Sequence, residues 1–514
     1  MRTGAEALVE SLERAGTEVV FGYPGANVVD VFDRIRTAKF KFVLGRHEQG
    51  CTHMADGYAR ATGRPGVVVV TSGPGATNAI TGLATANVDG VPLVLVSGQV
   101  PLSQIGTDAF QEADMTGICR AVTKHSFLVK SADEIPETVA QAFYIATHGK
   151  PGAVVIDVPK NVQEELTAAQ YPERVSLRAY HPEHAASTAQ VNKFAKWLNE
   201  AKRPVLYAGG GVIAANAAKD VAALARRANA PVATTLTGIG SFDESDPLAL
   251  GLAGLYGTPA ANAALAAADL VIALGVRFND RETGRDILHY VPRAKVVHVD
   301  CDPSSIDKNV TVDLGIVADI KDLLTTVNSR IRPAEHAEWL KQVAAWKKSE
   351  PAGRVVPARR VVESLARATK GQAILVADVG DHQMACARHF THALPRHFLT
   401  SGGMGTMGFA IPAAIGAAIA RPGEKVVAVV GDGGAQMTFE ELIVAVELKL
   451  PVAFVVVNNR SLGMVSTPIS SPDFVALARA YGMKGVRVDD LKKLDAVLAK
   501  AVKAKVPMLV EVRT

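Results

Sequence analysis

Short apolar runs rich in valine, isoleucine and leucine recur along the whole chain, and each is followed by a stretch whose apolar residues keep helical spacing. The clearest runs are 66–71, 92–97, 154–158, 204–208, 270–274, 295–299, 426–430 and 452–457. Runs without polar alternation predict strands buried on both faces, and their regular exchange with helical stretches predicts parallel sheets covered by helices. The fold class expected is therefore α/β, built from doubly wound parallel sheets.

Two polar stretches interrupt this rhythm, 167–188 and 332–357, with prolines at Pro172, Pro182, Pro333, Pro351 and Pro357. They divide the chain into three domains, expected over residues 1–170, 189–332 and 357–514. The length of 514 residues suits three domains of roughly 150 residues, each with its own core. Segments 67–78 and 426–437 share one plan of strand, glycine turn and helix, so the first and last domains are expected to repeat one architecture.

Composition narrows the function classes by exclusion. Lys+Arg 55 against Asp+Glu 51 leaves a net charge of +4, which gives no electrostatic case for nucleic acid. Cys51, Cys119, Cys301 and Cys386 are scattered without a CxxC pair, so neither a zinc site nor a disulfide framework is expected. The thirteen histidines form no HxxxH or HExxH pair. The N-terminus has no signal-type apolar core and no run is long and apolar enough for a membrane span, so a cytoplasmic protein is expected.

The candidate chemistry lies at strand ends. Gly431-Asp432-Gly433 follows one buried run, Asn458-Asn459 follows the next, and 439–448 between them has the spacing of a crossover helix. In such a unit neighbouring strands finish side by side, so the oxygens of Asp432 and Asn459 can converge where open α/β sheets bind ligands. Few protein oxygens, with water and phosphate filling the remaining positions, describe a magnesium ion on a diphosphate. Gly431, Gly433 and Gly434 let the backbone approach it, although a glycine after a strand is also an ordinary βα turn.

Two further segments carry two readings each. Glu48, in RHEQG at 46–50, stands just before a helix expected near Gly50, where a carboxylate suits either catalysis or the positive helix end. Gly403 to Gly408 fits GxGxxG, which is a weak dinucleotide signal, and Met407 within it suits a core position equally well.

Taken in order, FGYPGA, RHEQG, DGYARATG, TSGPGATN, SGQVP, IGTDAFQEAD, TKH, DVPKNVQ, TTLTGIG, GVRFNDR, SGGMGTMGFAIPAAIGAA, GDGGAQMTFEEL and NNRSLGMV resemble the thiamine-diphosphate enzymes. Within them, the chain from Glu6 to Arg513 resembles the catalytic subunits of the acetolactate (acetohydroxyacid) synthase family. The resemblance implies a pyrimidine-binding N-terminal domain, with Tyr23, Pro24, Gly25, Glu48, Pro74 and Asn78 at the cofactor. It implies that Glu48 hydrogen-bonds a ring nitrogen of the aminopyrimidine, that Gly405 offers a carbonyl to its amino group and that Met407 props the cofactor in a bent shape. In the C-terminal domain it assigns the diphosphate to Val379, Gly380, Asp381, His382, Gly431, Asp432, Gly433, Gly434, Leu462, Gly463 and Met464. The magnesium ligands it implies are Asp432, Asn459 and the backbone oxygen of Ser461.

The central domain resembles an FAD domain, with Gly209, Gly210, Gly211, Thr235, Leu236, Gly254, Leu255, Tyr256, Gly275, Arg277, Arg281, Asp300, Cys301 and Asp319 at matching places. For substrate, the resemblance points to Phe110, Gln111, Lys160 and Arg281. The implied activity is decarboxylation of pyruvate and carboligation to a second 2-oxo acid, giving 2-acetolactate, with 2-oxo acid decarboxylase or promiscuous carboligase as the alternative. A cofactor-binding protein with little turnover is a further alternative. Implied partners are small 2-oxo acids, a second copy of the chain in a homodimer or dimer of dimers with the active site at the interface, and a small regulatory subunit.

Four departures from the family pattern stand out. Asp381 replaces a usual glutamine, and a carboxylate near a diphosphate is repelled unless it pairs or turns away. Asn279 and Ala318 depart in the FAD-type domain. After Gly463-Met464-Val465 a usual tryptophan and a longer flexible segment give way to Pro468 and Ser471-Pro472-Asp473-Phe474, so a shortened lid and a wetter site are expected.

Overall fold

A computed structural model describes residues 1–284, 290–349 and 357–514. Three six-stranded sheets hold the chain, every neighbouring pair parallel. The first comprises β1 (Val19–Tyr23), β2 (Lys41–Leu44), β3 (Gly66–Val70), β4 (Leu93–Gln99), β5 (His125–Leu128) and β6 (Ala153–Pro159). The second comprises β7 (Pro204–Ala208), β8 (Val232–Thr234), β9 (Ala249–Leu252), β10 (Leu270–Leu274), β11 (Lys295–Asp300) and β12 (Leu314–Val317). The third comprises β13 (Ile374–Ala377), β14 (Phe398–Thr400), β15 (Val426–Gly431), β16 (Val452–Asn458), β17 (Lys484–Val488) and β18 (Met508–Arg513).

The outer sheets have the same order, β2-β1-β3-β4-β6-β5 and β14-β13-β15-β16-β18-β17, so the last domain repeats the first. Their strand order reverses direction between β1 and β3, and between β13 and β15. The central sheet runs β9-β8-β7-β10-β11-β12, the order of dinucleotide-binding folds, and reverses between β7 and β10. Central strands such as β3 and β16 are buried throughout, which is why their sequences are unbroken apolar runs.

Three helices, α1 (Glu48–Thr62), α2 (Ala337–Lys348) and α3 (Ala410–Ala420), join the domains or close their cores. α1 begins at Glu48 itself, with His47 as its N-cap. α1 and α3 cross closely because both carry glycine at the contact. A Cβ at Gly57 would fall on the Ala413 carbonyl, and one at Gly416 on the Met54 carbonyl. Met54, Ala55, Ala413 and Ala414 consequently share one core that joins the first and last domains.

α2 lies inside the stretch read as a polar break. Its Trp339 and Val343 are buried against the central sheet, and the Trp339 indole donates to the Pro204 carbonyl at 3.1 Å. Trp346 and Leu340 pack partly buried beside them, so the apolar positions keep helical spacing inside a stretch whose prolines and charges mark it as a break. Pro351, the last interior proline of that break, lies outside the described residues. Among the described residues no helix is long and apolar enough to cross a membrane.

Candidate active site

Each group of candidate residues gathers at the place where its sheet reverses strand order. In the C-terminal domain, Val379 to His382 follow β13 and Gly431 to Gly434 follow β15, on either side of that reversal. The His382 ring sits between them, against Gly380 and Gly431, and its Nε2 accepts the Gly431 amide at 3.1 Å. Burial pulls this ring down to about 4, so it stays neutral and able to accept.

Asp432 is buried at the end of β15, and Asn459 follows the end of the adjacent β16, where Gly431 pairs with Val457. The Asn459 Oδ1 accepts the Ser461 amide at 3.0 Å, which turns the chain so that Ser461 and Leu462 come back toward Asp432. A Cβ at Gly433 would meet Leu462 Cδ2 at 2.5 Å, Met407 Cε at 3.2 Å and Ile469 Cδ1 at 3.4 Å. The Met407 side chain is thus brought to the Asp432 turn, across 25 residues of sequence from Asp432. Asp381 is exposed, and its carboxylate leans on Gly463. Met464 is exposed beside it.

Gly405, at φ +66, has open space around the Cβ it lacks, so glycine is favoured there by the backbone and not by packing. One residue that sequence reasoning missed fixes the exit of this turn. Asp378, fully buried, accepts the amides of Val379 at 2.8 Å and of Gly408 and Ala410 at 3.0 Å each. Burial pushes its carboxyl up to about 6 against those three donors. Its signal was present: it ends the apolar run 373–377 just as Asp432 ends 426–430. Ser471 was also missed; its hydroxyl donates to Asp432 Oδ2 at 2.6 Å.

The short segment after Val465 is a tight ribbon. Ser466 takes a left-handed turn, and Thr467–Pro468 pairs antiparallel with Ser461–Leu462. The chain then reaches Ser471 without any longer excursion.

In the N-terminal domain, Tyr23, Pro24 and Gly25 follow β1, and Pro74 begins the turn after β3. Gly25 packs directly on the Thr71 side chain. Glu48 is almost fully buried, and its Oε2 accepts from Asn78 Nδ2 at 3.0 Å. Gln111, at φ +61, lies against Gly73 of the same turn, whereas Phe110 is 85% exposed. Lys160 opens the short helix after β6. Among the described residues no hydrogen bond or ion pair joins the Glu48 group to the Asp432 group within one chain. Arg281 also stands apart, mostly exposed, 3.7 Å from Asp280.

A cavity of about 680 Å³ lies at the strand reversal of the central domain, its other wall supplied by residues 88–90 and 147–151 of the N-terminal domain. Gly210, Gly211, Thr235, Gly275, Arg277, Asp300, Cys301 and Asp319 line it. The Gly209 to Gly211 turn after β7 and Gly275 after β10 press backbone on backbone, since a Cβ at Gly211 would meet Gly275 Cα at 2.7 Å. Burial pushes Asp300 up to about 6 and Cys301 up to about 12. Gly209 and Leu236 sit behind the lining, and Gly254, Leu255 and Tyr256 lie elsewhere, with the Leu255 amide on the Arg281 carbonyl at 2.8 Å. A glycine-walled cavity of this size with carboxylates at strand ends fits a dinucleotide. At the C-terminal turn, a buried carboxylate, an amide oxygen and bare glycine backbone likewise fit a metal-bound diphosphate.

Family models agree with this three-part division of chemistry. Residues 2–118 match the thiamine pyrophosphate enzyme N-terminal TPP binding domain, 191–327 the central domain and 378–512 the C-terminal TPP binding domain. The fold and the strand-end sites therefore define a thiamine pyrophosphate enzyme. The acetolactate synthase large subunit of Haemophilus influenzae is 44% identical, over 98% of this chain and 92% of its own. The Escherichia coli acetolactate synthase isozyme 3 large subunit is also 44% identical over the same shares, and the mitochondrial acetolactate synthase catalytic subunit of Saccharomyces cerevisiae is 42% identical over 99% of this chain and 80% of its own. The chain belongs to the acetolactate synthase catalytic-subunit family of thiamine pyrophosphate enzymes.

Proposed function

We propose that this chain decarboxylates pyruvate and joins the remaining two-carbon unit to a second 2-oxo acid, releasing 2-acetolactate. The observation that carries the reading is the convergence of Asp432, Asn459 and Met407 at neighbouring strand ends in a chain similar along nearly its whole length to acetolactate synthases. Asp432, Asn459 and the Ser461 carbonyl would hold magnesium, and the amides of the Gly431–Gly434 turn would face the diphosphate. When bound, thiamine diphosphate supplies a nucleophilic ring carbon and a sink for the electrons left by departing carbon dioxide.

The chain's own groups do the rest. With the cofactor bound, Glu48 would hold a proton at the pyrimidine ring nitrogen, Gly405 would offer its carbonyl to the adjacent amino group, and Met407 would supply an apolar support beside the rings. Arg281 pairs with the acceptor carboxylate through two parallel hydrogen bonds, and Phe110, Gln111 and Lys160 border the acceptor space. The complete site is built between two copies, in a homodimer or dimer of dimers, a reading that fits the lack, among the described residues, of any hydrogen bond or ion pair between Glu48 and Asp432 within one chain. The exposed Tyr23, Phe110, Met404, Met464 and Val465 supply apolar surface for that contact. FAD would occupy the central cavity against Gly210, Gly211, Gly275 and Asp300. A small regulatory subunit beside this chain agrees with the naming of its relatives as large subunits.

The test is product analysis by mass spectrometry with pyruvate, magnesium, thiamine diphosphate and FAD. Acetolactate as the main product is expected. Acetaldehyde in its place would establish the simple decarboxylase instead, an outcome that the tight ribbon after Val465 makes worth measuring.

A further inference from the structure

We infer that Asp89 is a positioning residue that clamps the entry of the turn bearing Gly405 and Met407, from a different domain than the turn itself. The inference rests on the proposed reaction for its consequence in catalysis, but its geometry stands alone. Asp89 is the last residue of the helix Ile80–Asp89. A carboxylate there faces the negative end of a helix, which is unfavourable without compensation. Its side chain is nevertheless fully buried.

Four donors from three domains surround it. Oδ1 accepts the Gly403 amide at 2.7 Å and Oδ2 the Gly402 amide at 2.9 Å. Arg60 Nη2 of α1 lies 2.9 Å from Oδ2, and Arg277 Nη2, from the wall of the central cavity, 3.5 Å from Oδ1. Arg60 is shared with the buried Asp56 of its own helix, so the two guanidinium groups balance two buried carboxylates, while the Asp89 oxygens point at backbone amides of the C-terminal domain. The same helix fixes a second point of the turn, where Thr85 Oγ1 and Thr406 Oγ1 are 2.7 Å apart.

The turn is therefore held at both ends by buried carboxylates. Asp89 takes the amides of Gly402 and Gly403 on entry, and Asp378 takes those of Gly408 and Ala410 on exit. Between them, Met404 to Met407 present the two groups assigned to the thiamine rings. An ion pair serving only to join domains would need the arginines but not the two amides. Because Arg277 also lines the central cavity, the clamp ties the wall of that cavity to the position of the turn.

The experiment is amide hydrogen exchange by mass spectrometry on cofactor-free protein, comparing wild type with Asp89→Asn and with Asp89→Glu. Asparagine keeps one acceptor and loses the charge. Glutamate keeps the charge for both arginines, and so the folded domains, but displaces the carboxylate from the amides. Peptides covering 401–409 are expected to exchange at least about tenfold faster in both variants, with strands β13 and β15 at wild-type rates. In the holoenzyme at saturating cofactor, kcat should fall with the KM for pyruvate little changed. Wild-type exchange across 401–409 in a folded Asp89→Glu protein overturns the inference. The exchange readout contains no thiamine diphosphate, so it is independent of whether the proposed reaction holds.

Discussion

Glu48 and Asp432 are both buried carboxylates at the start of helices that follow strands or loops at a sheet's ligand edge, yet their surroundings assign them opposite duties. Glu48 has one neutral partner, Asn78, which leaves an oxygen able to hold a proton for a bound ring. Asp432 has a hydroxyl partner, Ser471, and stands among bare glycine backbone, which suits a cation. The two positions are therefore expected to separate in mutagenesis. Glu48→Gln should lower turnover by at least about 10²-fold, the scale of a lost proton-transfer group, while calorimetric binding of magnesium and thiamine diphosphate stays near wild type. Asp432→Ala should abolish the binding heat itself. Equal binding losses in the two variants would refute this division of roles.

At the scale of elements, the central domain depends on a helix that lies outside its sheet's own sequence. α2 closes the core through Trp339, which is buried, stacks edge-on with Trp346 at 5.7 Å and donates to the Pro204 carbonyl at the start of β7. Truncating a buried tryptophan removes its contacts and leaves the Pro204 carbonyl without this donor. Trp339→Ala is expected to destabilise the central domain by about 3–5 kcal/mol, measured by urea unfolding with binding to the C-terminal domain as the control. A loss under about 1 kcal/mol would mean that α2 merely rests on the surface. The helix was not read as part of this domain because it lies within a stretch bounded by prolines and rich in charge, beyond the last strand of the sheet it covers. By contrast, the eight apolar runs read as strands match β3, β4, β6, β7, β10, β11, β15 and β16 to within about two residues, since burial on both faces leaves no room for polar alternation, whereas shorter or less apolar strands such as β5, β12 and β17 were not read.

At the scale of the whole molecule, Glu441 shows how the outer domains are joined. Its carboxylate, on the C-terminal domain, accepts the His47 amide at 2.9 Å and the Arg46 amide at 3.1 Å, directly before Glu48, while Arg46 pairs with Glu447. Burial pushes Glu441 up to about 7 from an ordinary value of 4.5. The folded protein thus keeps this proton after the unfolded chain has released it. Stability from Glu441 is full below about pH 4.5 and is lost as pH rises through about 7. Wild type should accordingly lose thermal stability relative to Glu441→Gln across that window, by scanning calorimetry at a series of pH values; a constant difference in Tm would show that Glu441 does not titrate there.

The sequence by itself determined the strand runs, the repeated strand-turn-helix plan, the glycine turns and the identity of Asp432, Asn459 and Glu48 as candidates, because each depends on residues a short distance apart along the chain. Only the tertiary structure decided what meets what. It placed Met407 on Gly433, set Asp378 and Asp89 at the two ends of one turn, folded α2 onto the central sheet, and brought Glu441 onto the amides directly before Glu48. Those relations come from helices and sheets packing across hundreds of residues, where one carboxylate at a strand or helix end looks like any other until its donors arrive from another domain.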